Sequence, residues 1–291
     1  MAFPTRRRVV TTALATAAAG TFVPLRTATA DEARPARVSR PLLRAHAHND
    51  YLHSRPLHDA LAQGFTSVEA DIFLVDGELL VAHEATDLDP ARTLSALYLD
   101  PLLARVRANH GTVFRGDPAP VQLLIDIKTD GEAAYAELDR QLRRHRQMLT
   151  SFQHGRVRPG AVTPVISGDR AARAPMEAQR TRYAFYDGRL DDLGTAATAS
   201  FIPLISSSWT GTFGWLGTGP VPPAERDALR AITAAAHREG QRVRFWATPD
   251  APGPEREAVW AELLAAGVDH LNTDDLAGLA RFLRTHDRVA R

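Results

Sequence analysis

The sequence predicts an α/β fold, a single (β/α)8 TIM barrel that is irregular around its second and third strands. Short apolar or β-branched runs alternate along the chain with amphipathic stretches of helical period, the pattern of βα units stacked around a parallel sheet. Eight strand-like runs are present. Once an N-terminal leader is set aside, residues 31–291 remain, close to the ~250 residues that one barrel of this kind needs.

Arg6, Arg7 and Arg8 precede a mild Thr/Ala/Val run that ends in Ala28-Thr29-Ala30, which is the form of an export signal cleaved near Ala30. The run is short and broken by Pro24, unsuited to a permanent membrane anchor. The arginine pair after Thr5 resembles a twin-arginine signal, whose cargo crosses the membrane folded; an ordinary general-secretion signal is the alternative. The mature protein is therefore expected to be secreted. Asp31 to Arg40 lacks apolar periodicity and reads as a flexible lead-in, with the barrel domain over 41–291.

Strands are expected near 42–47, 66–72, 79–83, 121–128, 162–167, 183–187, 243–248 and 268–273. Helices are expected between them, as over Pro56–Gln63, Gly131–Phe152 and Ala224–Glu239, the last entered through Pro222-Pro223 and stopped by Gly240. Asp71 and His83 are too close for a helical crossover between parallel strands, and Asp76-Gly77 has the form of a hairpin turn. Either the crossover is extended or one of these runs is not a barrel strand. Ser206 to Pro223, rich in Gly, Ser and Trp, reads as a long loop.

With no cysteine in the chain, an exported protein of this size must hold together by its core alone, and a lipid-anchoring cysteine is missing as well. The leader carries four arginines and no acid, so its removal takes the formal charge from +1 to −3. That balance, without a basic tract, argues against a nucleic-acid partner and favours a small or lipid-derived substrate. No protein partner is evident. Of the 35 basic side chains only Lys128 is a lysine.

In such a barrel the reactive groups sit at the carboxyl ends of the strands. The first four runs end in His46-Ala47-His48, Glu69-Ala70-Asp71, His83-Glu84 and Asp126-Ile127-Lys128. Residues two apart on a strand face the same way, so Glu69 and Asp71 aim two carboxylates at one point that Asp126 can share. Three oxygen ligands suit one hard divalent cation, Mg²⁺ or Ca²⁺; solvated carboxylates are the alternative, disfavoured because acid and lysine interrupt the apolar run LLIDIK. Lys128 offers a compact charge to a phosphate oxygen, or an ion pair with Asp126 or Glu69. His48 and His83 are the expected general base and acid. His53, His58, His110, His145, His154, His237, His270 and His286 are expected to be structural or exposed.

These motifs resemble the phosphatidylinositol-phospholipase-C-like phosphodiesterase superfamily, which includes glycerophosphodiester phosphodiesterases and sphingomyelinase D enzymes. The resemblance runs nearly the whole mature length and rests on AHND, VEADI, DGELLVAHE, LLIDIK, RFWATPD and AAGVDHLNTDD in that order; HAHNDY resembles the altered-inheritance-of-mitochondria-type branch. It implies His48 and His83 as the acid/base pair, Glu69, Asp71 and Asp126 as divalent-metal ligands, and Lys128 as a phosphate partner. It further implies Trp246 as a wall of the substrate site and Asn272 as a polar contact. The Arg-Gly that follows the histidine in glycerophosphodiesterases is here Asn49-Asp50, and their third carboxylate, a glutamate, is Asp126 as in sphingomyelinase D. Substrate class therefore stays open. His46, the extra histidine, shares a strand face with His48 and is expected to support it by a hydrogen bond to His48 or Asp50.

The leading expectation is metal-dependent cleavage of a phosphodiester in glycerophosphodiesters or phospholipid-derived head groups, by hydrolysis or with a cyclic product. One rival is a zinc amidohydrolase barrel, since His-x-His also opens that class of site; the runs TPVISGD and YAFYDGR lack the further histidines it needs. Another is a non-catalytic barrel that grips a lipid or sugar with Trp209 and Trp215 of SSSWTGTFGW.

Overall fold

In the computed structural model, which describes residues 40–287, the apolar runs become nine strands: β1 Leu42–Ala47, β2 Phe65–Val75, β3 Glu78–Val81, β4 Val121–Ile127, β5 Val162–Gly168, β6 Phe185–Gly188, β7 Leu204–Ser208, β8 Arg242–Trp246 and β9 His270–Thr273. The expected leader, nearly all of the lead-in and the last four residues lie outside the described residues. All of these strands except β3 pair in parallel, and β1 is flanked by both β2 and β9, so the sheet closes into an eight-stranded barrel. Helices α1 His58–Gln63, α2 Asp100–Ala108, α3 Gly131–Arg144, α4 Arg173–Glu177, α5 Trp209–Thr212, α6 Pro223–Arg238, α7 Pro254–Ala266 and α8 Leu276–His286 lie between the strands or follow β9. Their ends obey local chemistry: Asp130 and Asp275 accept from the amides of Ala133 and Gly278, and α7 stops at Gly267 with φ 83°.

Two expectations about the strands are corrected. The run near 79–83 is not a barrel strand: β3 folds back on β2 in antiparallel register, from Ile72 opposite Val81 to Val75 opposite Glu78. The cause is local, since Asp76 and Gly77 both take left-handed φ (49° and 84°) and make the tight turn that suits a two-residue hairpin. The eighth stave is instead β7, which begins just before the stretch expected to be a loop and runs into its first three residues. Only Leu204 and Ile205 give it an apolar signal, because three serines follow.

Most of the core lies between the barrel and its helices. Within the barrel, Leu124, Val165, Phe185 and Leu204 form a separate small apolar cluster. Gln122, Ser67 and His46 are joined there by polar contacts, Arg244 meets His46 through Glu69, and all are buried. A polar barrel interior is costly unless each group is paired, and the pairs present there build the site described below.

The turn after β1 is fixed by Asp50, which was expected to bond His46. Its buried Oδ2 instead accepts from the Leu57 amide at 2.5 Å and the Tyr98 hydroxyl at 2.9 Å, holding Leu57 at a left-handed φ of 63° before α1. Burial pushes the Asp50 carboxyl from its ordinary 3.8 up to about 6, against the pull of those two donors.

Two predictions follow from these contacts. At Gly168, φ is 80° and an added Cβ would meet the backbone of Ile127, whereas at Gly194, φ 72°, it would meet open space. Gly194→Ala should cost the ~1–2 kcal/mol of a left-handed alanine, and Gly168→Ala clearly more, as read by urea denaturation. A raised acid pKa stabilises the fold when protonated, so the Asp50 contribution is whole below 3.8 and lost as pH rises through about 6. The stability of wild type relative to Asp50→Asn should therefore fall by about 3 kcal/mol across that window, and a difference that does not vary with pH would exclude the assignment.

Candidate active site

Strand alternation delivers the acidic side chains. Asp71 of β2 and Asp126 of β4 are register partners, with Glu69 two residues back on the inward face of β2. One oxygen from each of Glu69, Asp71 and Asp126 lies within 4.8 Å of the others, so these residues converge as the spacing requires. Lys128 stands over two of them, its Nζ 3.0 Å from Asp71 Oδ2 and 3.1 Å from Asp126 Oδ1; its second partner is Asp71, not the expected Glu69.

The electrostatics differ among the three acids. Burial pushes Asp71 up to about 6, and the charge of Glu69 adds to this against the pull of Lys128. Asp126 is also raised by burial, in spite of Lys128. For Glu69 burial acts in the same direction, but the Arg244 guanidinium and the His46 hydrogen bond outweigh it and hold the carboxyl well below the usual range. Lys128 is held above its ordinary value because Asp126 and Asp71 overcome its burial. Asp71 Oδ1 is buried without a hydrogen-bond partner among the described residues. Crowded carboxylates, an unpartnered buried oxygen and an all-oxygen donor set fit a hard divalent cation, and the cluster contains no histidine, which disfavours the zinc reading.

The two expected acid/base histidines are placed differently. His48 lies just beyond β1, its backbone N–H bonded to Thr273 at 3.0 Å. Its Nδ1 is 2.8 Å from Asp274 Oδ1 and its Nε2 3.9 Å from Glu69 Oε1. Burial lowers its pKa, but the Asp274 hydrogen bond and the Glu69 charge prevail and raise it. His83 follows β3, 48 % exposed, with Nδ1 3.0 Å from Glu84. It is tied to the acids through its neighbour, since the Ala82 amide bonds the Asp71 carbonyl at 3.3 Å.

A cleft of about 260 Å³ opens over the acids, lined by His48, Glu69, Asp126, Lys128, Ser167, Arg189, Arg244 and Trp246. Trp246, 41 % exposed, forms a wall. Asn272 is not in that lining: its Oδ1 accepts from Nε and Nη2 of Arg244 at 2.9 and 2.7 Å, which places it behind the guanidinium. His46 is fully buried, with Nδ1 2.7 Å from Ser67 Oγ and Nε2 3.0 Å from Glu69 Oε2, so its partners are neither His48 nor Asp50. Burial and the neighbouring Arg244 push it down to about 3. Trp209 and Trp215 are packed away at 1 % and 9 % exposure, the Trp209 indole donating to the Trp215 carbonyl. They offer no gripping surface.

Sequence reasoning missed Arg244, Asp274, Ser167 and Arg189. Arg244 had a signal, being two residues before Trp246 and hence on the same face of β8. Ser167 likewise partners Asp126 in register. Asp274 meets His48 across 226 residues, a pairing that no local pattern announces.

Comparison with known proteins agrees with this arrangement. Residues 38–187 match the AIM6-like phosphodiesterase domain, and residues 242–277 match the glycerophosphoryl diester phosphodiesterase family. The altered inheritance of mitochondria protein 6 homolog of Arthroderma benhamiae is 32 % identical over 79 % of this chain and 81 % of its own length. The altered inheritance of mitochondria protein 6 of Eremothecium gossypii is 33 % identical over 83 % of this chain and 69 % of its own. A glycerophosphoryl diester phosphodiesterase from Parabacteroides distasonis shares the fold, with a TM-score of 0.50 at 13 % identity, covering 86 % of this chain and 88 % of that one. The chain belongs to the AIM6-like phosphodiesterase family, within the glycerophosphodiesterase and phosphatidylinositol-phospholipase-C-like superfamily.

Proposed function

We propose that this protein is a divalent-cation-dependent phosphodiesterase acting, outside the cytoplasm after loss of its leader, on glycerophosphodiesters or phospholipid-derived head groups. The observation that carries the reading is the convergence of Glu69, Asp71 and Asp126 within 4.8 Å, with Glu69 and Asp126 opening on a cleft that His48, Lys128 and Trp246 also line.

Glu69, Asp71 and Asp126 would hold one Mg²⁺ or Ca²⁺. When bound, that ion supplies positive charge to the non-bridging phosphate oxygens. Lys128 adds to this on the same side, and the two acids beneath keep its ammonium charged. Asp274 accepts a hydrogen bond from the Nδ1–H of His48, which leaves Nε2 bare toward the cleft and able to accept the proton of an attacking hydroxyl. That hydroxyl is either water or a hydroxyl of the substrate itself, the second giving a cyclic phosphate. His83, exposed after β3 with its Nδ1 engaged by Glu84, protonates the leaving oxygen. Trp246 packs the alcohol portion.

Chelation with EDTA should abolish turnover, and Mg²⁺ or Ca²⁺ should restore it; restoration by neither, or full activity of the chelated protein, would remove the cation from the mechanism. His48→Ala and His83→Ala should each lower kcat by ~10²–10⁴. Unaltered rates in both would leave no acid/base chemistry to explain. A panel of glycerophosphodiesters, lysophospholipids and sphingomyelin, followed by phosphorus NMR, identifies the head group and shows whether a ring forms. Failure of pure, cation-loaded protein to turn over every member would count against the function itself.

A further inference from the structure

Three buried side chains, His46, Ser67 and Gln122, with the half-buried Arg242 behind them, join Glu69 to the interior of the barrel. Arg242 Nη2 donates to Gln122 Oε1 at 2.7 Å. An arginine can only donate, so the amide of Gln122 has its oxygen toward Arg242 and its NH₂ toward Ser67, whose Oγ accepts from Nε2 at 2.9 Å. Ser67 thus spends an acceptor site on Gln122 and has its own proton to give. His46 Nδ1 lies 2.7 Å from that hydroxyl, and His46 Nε2 lies 3.0 Å from Glu69 Oε2. An ionised carboxylate accepts only, so Nε2 carries the imidazole proton and Nδ1 takes that of Ser67. Every bond in the row Arg242, Gln122, Ser67, His46, Glu69 therefore runs one way, toward the carboxylate.

At the end of the row, Glu69 Oε2 also receives Arg244 Nη2, and Asn272 grips that guanidinium from behind. With two donors on Oε2, the carboxylate cannot turn, and Oε1 is the oxygen left toward His48 and the cleft. We propose that His46, Ser67 and Gln122 are positioning residues, a one-directional hydrogen-bond row through the barrel interior that fixes which oxygen of Glu69 is offered to the cation. This rests on the cation site proposed above. It gives the histidine of HAHND that stands apart from acid/base chemistry a defined task.

The test is cation binding, measured by calorimetric titration of Mg²⁺ and of Ca²⁺ into substrate-free protein. Ser67→Ala removes the donor to Nδ1 with the least change of volume, and His46→Leu removes both of its bonds. Each should weaken the cation by ~10–100-fold, whereas Ser67→Thr and His46→Gln, which keep a hydroxyl and a donor–acceptor pair, should stay within about threefold of wild type. Far-UV circular dichroism and melting of the cation-free proteins control for folding, and Ser67→Ala carries the test should His46→Leu fail to fold. If Ser67→Ala is folded and binds the cation as wild type does, the row is merely structural and the inference is overturned. If wild type itself binds neither ion, the cation site is lost and the inference with it, an outcome distinct from the first.

Discussion

The arrangement depends on a charge that has no natural place inside a barrel. Glu69 is buried, and a buried carboxylate is tolerated only when its partners recover its hydration. Arg244, His46 and, more distantly, His48 do so. Removing one partner of such a pair leaves an uncompensated charge at a cost of ~3–5 kcal/mol, so Glu69 and Arg244 stand or fall together. Asn272, Ser67 and Gln122 are then constrained in turn, Asn272 by its bonds to Arg244, Ser67 by its bond to His46, and Gln122 by its bond to Ser67.

That constraint explains the division of the barrel interior. Leu124, Val165, Phe185 and Leu204 fill a small dry cluster, and the polar row runs through β1, β2, β4 and β8. Polar groups that satisfy one another form a rigid unit, while partly satisfied ones would be worse than hydrocarbon. Two interior groups stay outside the network: both ring nitrogens of His270 and the hydroxyl of Ser206 lack partners among the described residues. Full burial pushes His270 far below its ordinary pKa, so that it sits neutral among Arg242, His46 and Arg244.

The fold was legible because period and length are set by backbone geometry, which a single sequence displays. The acidic cluster was legible for the same reason: Glu69 and Asp71 alternate on one strand, and Asp126 breaks an otherwise apolar run. The hairpin of β2 and β3 showed itself in Asp76-Gly77 but competed with the count of eight, and the count concealed that β7 was missing, since serine has no strong strand preference. The observed partners of His46 were not legible, because Ser67 is set opposite it only by the pairing of β1 with β2. Likewise nothing near Asp274 shows that the closure of the barrel will bring it to His48. Local rules reach contacts within an element, and contacts between distant staves wait for the fold.

The hairpin has a mechanical consequence. Of the two histidines proposed to transfer protons, His48 follows a stave of the ring, whose registry is locked by neighbours on both sides, and His83 rides on an overhanging arm that the ring does not need for closure. The gap between them can thus be reset by lengthening or twisting the arm, with no shear of the barrel. A scaffold built this way can exchange small esters for bulky ones while its anchored half stays as it is.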